Sequence, residues 1–470
     1  MSWTVCTLVL ILNVYRAYTQ SLTIDEAFTY SEFVASPLRS TLAHFDANNH
    51  VLNTFLCKMS TGFFGPSELS LRLPSLVGGL IYLLAVLRLT QQIFQLTWIR
   101  LLAVAALVLN PIILDYLSAA RGYSLALGFQ YVMICLIVQR LLSKNQGPEY
   151  FFNCAIGVTA ALSAASNLTF VVPNLVYVAL LLILTVNSSW KKALLPLFLR
   201  TAQIALSGLV PFIAVMYLPL RNATISNFYV GVNSFMRSGT ILLLRSFNYP
   251  SLHFGAHVAP ILDVVTVPAI LCGILGCSFY YRSPHWRGIL LFQIALLGNV
   301  LALFVLHTLF GVPFPYERTG IYFIPLITMT VFLGTLGFER SPRLKWLAAV
   351  ILLYLCAVVF QYVLELKSNR YEQWTFDAGT KRVLNLLSRL PRPDSRRCRL
   401  GISWVYEPSI NYYRGLNKMD WLEPVTRAGP RSEKFDYYYL TDEDRAVLEA
   451  LQLRSVYVDA VSHAVLAARP

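Results

Sequence analysis

Apolar runs of membrane-spanning length recur along the whole chain, and this recurrence limits the fold more than any other feature. They fall at 3–17, 71–94, 98–118, 123–142, 151–165, 171–186, 196–220, 260–281, 288–309, 320–338 and 346–364. A hydrocarbon layer about 30 Å thick takes about 20 predominantly apolar residues to cross as a helix. Inside it, backbone groups must find partners within the protein, so only helices and closed barrels span it. The sequence therefore predicts a polytopic α-helical membrane protein with about 11 transmembrane helices. Composition agrees: 56% of residues are hydrophobic and 13% charged, whereas an ordinary soluble domain is about 25% charged. A soluble enzyme and a disordered chain are both excluded. The first run is short, but it lacks the basic start and small-residue cleavage site of a signal peptide, so it counts as a helix.

The net charge of +14 would suggest nucleic acid in a soluble protein; here the basic residues collect in alternate loops, and no nucleic-acid partner is expected. With the N-terminus inside, the cytoplasmic ends carry Arg88, Arg100, Arg140, Lys144, Lys191, Lys192, Arg200, Arg282, Arg287, Arg340, Arg343 and Lys345, against only Glu149 and Glu339. The outer ends before the tail are balanced, with nine basic residues and nine acids. This asymmetry follows the positive-inside rule and places the C-terminal tail outside. The expected division is a transmembrane catalytic module over 1–366, with a first outer loop at 18–70, and an extracytoplasmic domain over 367–470. The tail has β-like runs, CRLGISWVY, FDYYYL and LRSVYVDAV, around TDEDRAVLEALQ, which reads as a helix capped by Thr441 with Asp444 three residues on. A small α/β domain is predicted.

Chemistry-bearing residues gather at the outer level. The first outer loop is long, and its pieces DEAFTYSEFVAS and VLNTFLCKMSTGFF look amphipathic, as surface helices do. Near its start stand Asp25 and Glu26. Paired acids at the mouth of a bundle are costly unless used or paired, although acids also favour a helix N-terminus. HFDANNHVLNTF places Asn49 and His50 nearby, and SELSLRLPS puts Arg72 at the entry of the second span. LDYLSAARGYSLAL carries Asp115, Arg121 and Tyr123, and PFPYERTGIYFIP carries Tyr316, Glu317 and Arg318. Singly, each has a structural reading: Arg72 could snorkel, His50 could be a surface histidine, and Glu317 could pair with Arg318. Together, arginines suit a lipid phosphate and a carboxylate suits a base for a hydroxyl. The eight cysteines show no metal-ligand spacing, and no metal site is predicted.

The order IDEAFTY, ANNHVLNTFL, SELSLRLPSLVGGL, AARGYSLAL and YERTGIYFIP resembles the GT-C glycosyltransferases. The nearest branch is the family-39-like proteins, which include protein O-mannosyltransferases and lipid A aminoarabinose transferases. The likeness is best over about 20–130 and returns near 313–326, and the tail resembles extracytoplasmic domains of bacterial members. The resemblance implies a glycosyltransferase in a membrane, bacterial and inner, that moves a sugar from a polyprenyl-phosphate carrier to an acceptor hydroxyl on the outer face. It implies a catalytic role for Asp25, with Glu26 at the adjacent acid. His50 resembles the histidine of the second loop motif, although Val51 stands where the family has proline. Arg121 and Arg318 match family arginines. Arg72, Arg121 and Arg318 are then the donor-phosphate ligands, and His50, Asn49, Asp115, Tyr123, Tyr316 and Glu317 the acceptor or sugar pocket. A single displacement with inversion needs no metal in principle; some relatives bind a divalent ion, which the acids here could hold. No cofactor is required beyond the lipid-linked donor, and the acceptor (protein, lipid or glycan) is left open. The competing expectation is a transporter or a flippase for lipid-linked sugars. Such proteins tend to show inverted repeats and midplane charges, whereas the charges here lie at one face.

Overall fold

The computed structural model describes residues 1–43, 45–142, 149–185, 190–224, 230–249, 255–276, 279, 286–393, 396–431 and 434–469; Lys144 and Arg282, two of the charges assigned to the inner loops, lie outside them. The membrane part runs α1 (Ser2–Thr19), α2 (Ile24–Thr29), α3 (Leu38–Ala43), α4 (Val51–Phe64), α5 (Glu68–Ile93), α6 (Thr97–Val108), α7 (Pro111–Ser118) and α8 (Tyr123–Leu142). It continues through α9 (Glu149–Ser166), α10 (Val171–Thr185), α11 (Trp190–Arg221), α12 (Phe235–Thr240), α13 (Gly255–Gly276), α14 (Trp286–Phe310), α15 (Phe323–Glu339) and α16 (Lys345–Leu364).

Among the described residues each of the eleven apolar runs is mainly helical, but only six helices are by themselves long and apolar enough to cross a membrane, or seven if α6 and α7 count as one span. The difference from eleven has identifiable causes. Helix α1 carries Asn13 and Arg16, both buried inward, and the described apolar stretches Val264–Gly276 and Phe323–Glu339 are short. The run at 98–118 is not one straight helix: α6 and α7 meet at 64°. Pro111 supplies no N–H, and the Asn110 side chain takes the amides of Ile112 (3.1 Å) and Ile113 (3.3 Å), so the chain restarts as a freshly capped helix.

That break sets the geometry around Arg121, because α7 leads directly into the Ala119–Gly122 turn that carries it. A Cβ on Gly122 would sit 1.9 Å from the Ser166 carbonyl oxygen, so only glycine lets this turn close on the end of α9. Below it, a Cβ on Gly78 would fall 2.5 Å from the Leu125 backbone nitrogen, so α5 and α8 pack backbone to backbone as small residues permit in membranes. In the long loop after α1, Thr23 and Glu26 form a capping box at the start of α2. The second amphipathic piece is the helix α4, whose Phe63 and Phe64 are exposed.

The tail holds α17 (Thr380–Leu387), β1 (Leu400–Ile402), α18 (Glu407–Leu416), β2 (Tyr437–Leu440), α19 (Ala446–Ala450), β3 (Arg454–Val458) and β4 (Val465–Ala468). The sheet order is β1-β2-β4-β3; β1 is parallel to β2, and β4 is antiparallel to both β2 and β3. Three strands fall in the three β-like runs; β4 lies beyond them. The cap expected at Thr441 does not form: its side chain makes no cap bond, a 3-10 turn precedes the short α19, and Ser403 Oγ donates to Asp444 instead. The tail core is shared with the loop, since Val383, Leu387, Tyr406, Ile410 and Tyr439 belong to one buried cluster with Leu22, Ala27, Leu71 and Ala120.

Candidate active site

Asp25 and Glu26 open the same short helix and face different surroundings. Glu26 is fully buried. Its Oε1 accepts from Arg72 Nε (2.8 Å) and the Ala120 amide (2.6 Å), and its Oε2 from Arg72 Nη2 (2.6 Å) and the Thr23 amide (2.9 Å). The remaining Arg72 donors go to the carbonyl oxygens of Ala17, Gln20 and Ser21. Both side chains have 0% exposure. Arg72, expected at the donor phosphate, has each of its donors taken inside the protein and does not line the cavity described below. Glu26 likewise has no open oxygen.

Asp25 is paired instead with Arg318, Oδ2 to Nη1 at 3.0 Å, in a contact that keeps 14% and 30% side-chain exposure. The Trp374 indole also stands beside this carboxylate. Burial alone would favour the neutral acid, but the charges of Arg121 and Arg318, the neighbouring Trp374 indole and the Arg318 hydrogen bond offset it and hold the carboxyl below its usual range.

Arg318 and Arg121 line one cavity of about 350 Å³. Arg121 is buried; its Nη2 donates to Asn48 Oδ1 (2.8 Å) and its Nη1 to Thr29 Oγ1 (3.3 Å), while its Nε has no partner. Asn49 and His50 line the same cavity. His50 Nε2 is buried and without a partner, and its ring packs edge-on against Tyr123 at 5.2 Å. Burial, followed by the Arg121 and Arg318 charges, pushes the imidazole well below its usual range, so it is neutral at pH 7. Much of the remaining lining is apolar, including Ala165, Leu168, Val172, Met216, Leu303 and Leu306. The cavity thus combines two guanidinium groups with a largely apolar wall. Asp25 does not itself line it and stands one contact behind, through Arg318.

Of the remaining expected pocket residues, Tyr123 lines the cavity, whereas Asp115, Tyr316 and Glu317 do not. Asp115 pairs with Arg16 and accepts the Glu372 amide at 2.8 Å, tying α7 to the start of the tail. Tyr316 and Glu317 form the 3-10 turn that presents Arg318, with Glu317 at a left-handed φ of 44°. Arg318 pairs with Asp25 rather than with its neighbour Glu317. Among the described residues, no three His, Cys, Asp or Glu side chains cluster to hold a metal ion. Asn48, which HFDANNHVLNTF places beside Asn49 and His50, joins the site through Arg121, but nothing local in the tail marks Trp374, which arrives more than 300 residues after Asp25.

No family model matches the sequence, and no curated protein matches it. Solved structures do match. The crystal structure of ArnT from Cupriavidus metallidurans bound to undecaprenyl phosphate is similar with a TM-score of 0.56 and 13% identity, over 100% of this chain and 98% of that one. The same protein in its apo state gives 0.54 and 11% over the same shares. Across its whole length, then, the chain has the multi-helix membrane fold of ArnT, small C-terminal sheet domain included.

Proposed function

We propose that this chain is a GT-C-type membrane glycosyltransferase that moves a sugar from a polyprenyl-phosphate carrier to an acceptor hydroxyl. The observation that carries the reading is the cavity itself. Its Arg121 and Arg318 suit a phosphate, and its apolar lining suits the first isoprene units of the carrier. The similarity to ArnT in complex with undecaprenyl phosphate supports it. In this reading residues 1–366 form the catalytic membrane module and 367–470 the outer domain. The N-terminus faces the cytoplasm and the tail the far side, as in a bacterial inner membrane.

The chemistry follows from the groups present. The acceptor oxygen attacks the anomeric carbon, the bond from that carbon to the phosphate oxygen breaks, and polyprenyl phosphate leaves with the electron pair. Arg121, through its unpartnered Nε, and Arg318 stabilise the charge that develops on the leaving phosphate. Asp25 takes the acceptor proton. Because Arg318 pairs with Asp25, an arriving phosphate competes for the same guanidinium and frees the base. His50, neutral and unpartnered at Nε2, and Asn49 border the sugar. Glu26 and Arg72 act through the loop they brace, and Asp115 through the tail it anchors.

The test uses full-length protein in nanodiscs with radiolabelled polyprenyl-phosphate pentose and hexose donors and membrane acceptors. Transfer that is abolished with carrier binding in Arg121→Ala supports the reading. Carrier binding together with lipid translocation, and no transfer with any donor, would establish a flippase instead. Orientation is checked separately with an impermeant maleimide: Cys introduced at Lys418 should label from outside intact cells and Cys at Gln95 should not. The reverse pattern overturns the topology.

A further inference from the structure

The backbone that delivers Asp25 is held from the far end of the chain. Residues 20–24 lead from α1 into α2, and their polar groups find partners beyond residue 367. Gln20 Nε2 donates to the Ser368 carbonyl oxygen at 2.7 Å, and the Leu22 amide donates to Tyr413 Oη at 2.8 Å. The Ile24 amide donates to Asp377 Oδ2 at 2.7 Å. Ser409 Oγ lies within donating distance of both Asp377 Oδ1 (3.2 Å) and the Leu22 carbonyl oxygen (3.3 Å). Ile24 is the first residue of α2, and its amide is one of the helix-start donors that have no partner within the helix. Asp377 fills that vacancy one residue before Asp25. Trp374, three residues earlier in the tail, stands beside the Asp25 carboxylate. Its ring is buried against Tyr116 (5.5 Å) and Tyr371 (6.3 Å), and Tyr371 lies against the guanidinium groups of Arg16 (4.5 Å) and Arg72 (5.1 Å).

Resting on the glycosyltransferase reading and deepening it, we propose that Asp377 and Trp374 are positioning residues: they fix the start of α2 and keep the Asp25 carboxylate aimed at the acceptor hydroxyl when Arg318 turns to the donor phosphate. The C-terminal region is then part of the catalytic site, and a membrane module without it would bind the carrier yet transfer poorly. Burial pushes the Asp377 carboxyl well above its usual range, against the hydrogen bonds from Ile24 and Ser409. Asparagine keeps the shape of this side chain and an oxygen that can accept from the Ile24 amide.

The experiment compares Asp377→Ala, Asp377→Asn and Trp374→Phe in the full chain in nanodiscs. It reads kcat, undecaprenyl phosphate affinity, the pH profile of kcat/KM and hydrogen exchange of the 20–34 segment. Asp377→Ala should lower kcat about 10- to 100-fold, the scale of a small misplacement of a catalytic group, with carrier affinity unchanged, because Arg121 and Arg318 sit on other elements. It should also speed exchange at Leu22 and Ile24, and Asp377→Asn should restore both readouts. Trp374→Phe keeps the ring and removes the N–H. Its kcat should fall about tenfold, and the acid limb of kcat/KM should move to higher pH. The other groups that face Asp25, namely Arg121, Arg318, Tyr116 and Asp377, stay in place. Wild-type kcat and exchange in both Asp377→Ala and Trp374→Phe would overturn the proposal, as would parallel loss of carrier binding, thermal stability and kcat in Ala and Asn alike. If the wild-type protein transfers no sugar, the glycosyltransferase reading falls; exchange at Ile24 then still decides whether Asp377 holds the loop.

Discussion

Asp25–Arg318 and Glu26–Arg72 are two carboxylate–guanidinium pairs built from adjacent acids, and they stand in opposite surroundings. Successive residues on a helix point roughly 100° apart, so one acid of α2 turns inward and the other toward the cavity. The inner pair is sealed: its oxygens and donors are consumed by each other, by Ala120 and Thr23 amides and by loop carbonyl oxygens. The outer pair is a single contact at 3.0 Å with exposure on both sides. A sealed pair fixes the backbone that carries it. An open pair can exchange partners, which is what a base and a phosphate ligand must do.

The contrast is sharpest for Asp25→Asn. This change keeps shape and removes the base, and transfer of labelled sugar should fall about 10²–10⁴-fold while gel filtration in detergent remains normal. Near-full activity would move the base elsewhere. Glu26→Gln should act on stability instead: leaving Arg72 buried without its counter-charge should cost about 3–5 kcal/mol, read as a lower unfolding midpoint in detergent. If Glu26→Gln keeps wild-type stability and loses only kcat, then Glu26 is the base and Asp25 the brace.

Arg318→Gln tests the exchange of partners. Undecaprenyl phosphate should bind about 10- to 100-fold more weakly, the worth of one charge-assisted contact. The pH profile adds a sign. Asp25 is held below the usual carboxylate range, so its base form survives as pH falls until that lowered value is crossed. Removing the Arg318 charge raises the pKa, and the acid limb of kcat/KM should shift upward. An unmoved limb would break the link between the two residues. The smallest effect belongs to His50→Ala, about 2- to 10-fold on KM or kcat, the scale of a neutral hydrogen bond, with stability little changed.

Much of the architecture was legible because membranes impose simple rules. The apolar runs became helices, and VLNTFLCKMSTGFF became α4 with the same ends. The bend between α6 and α7 was less legible, since hydropathy runs smoothly through Asn110 and Pro111 and only the capping chemistry marks the restart. At the site, the sequence gathered Asp25, His50, Arg121 and Arg318 by their common depth, and the structure brings Arg121, Arg318 and His50 to one cavity with Asp25 behind Arg318. Depth could not separate Arg72 from Arg121, because both enter their helices at the same level. What separates them is whether the surrounding carbonyl oxygens and acids use up every donor.

The sequence by itself determined the solvent of this protein, the helical class and the shortlist of charged residues, since hydropathy and charge position are properties read one segment at a time. Tertiary structure alone decided which acid is walled in and which stays at the cavity's edge. It also brought Trp374 and Asp377 back to α2 across more than 300 residues. Partner choice among buried charges depends on which donors and acceptors converge in space, and that convergence leaves no local trace in the chain.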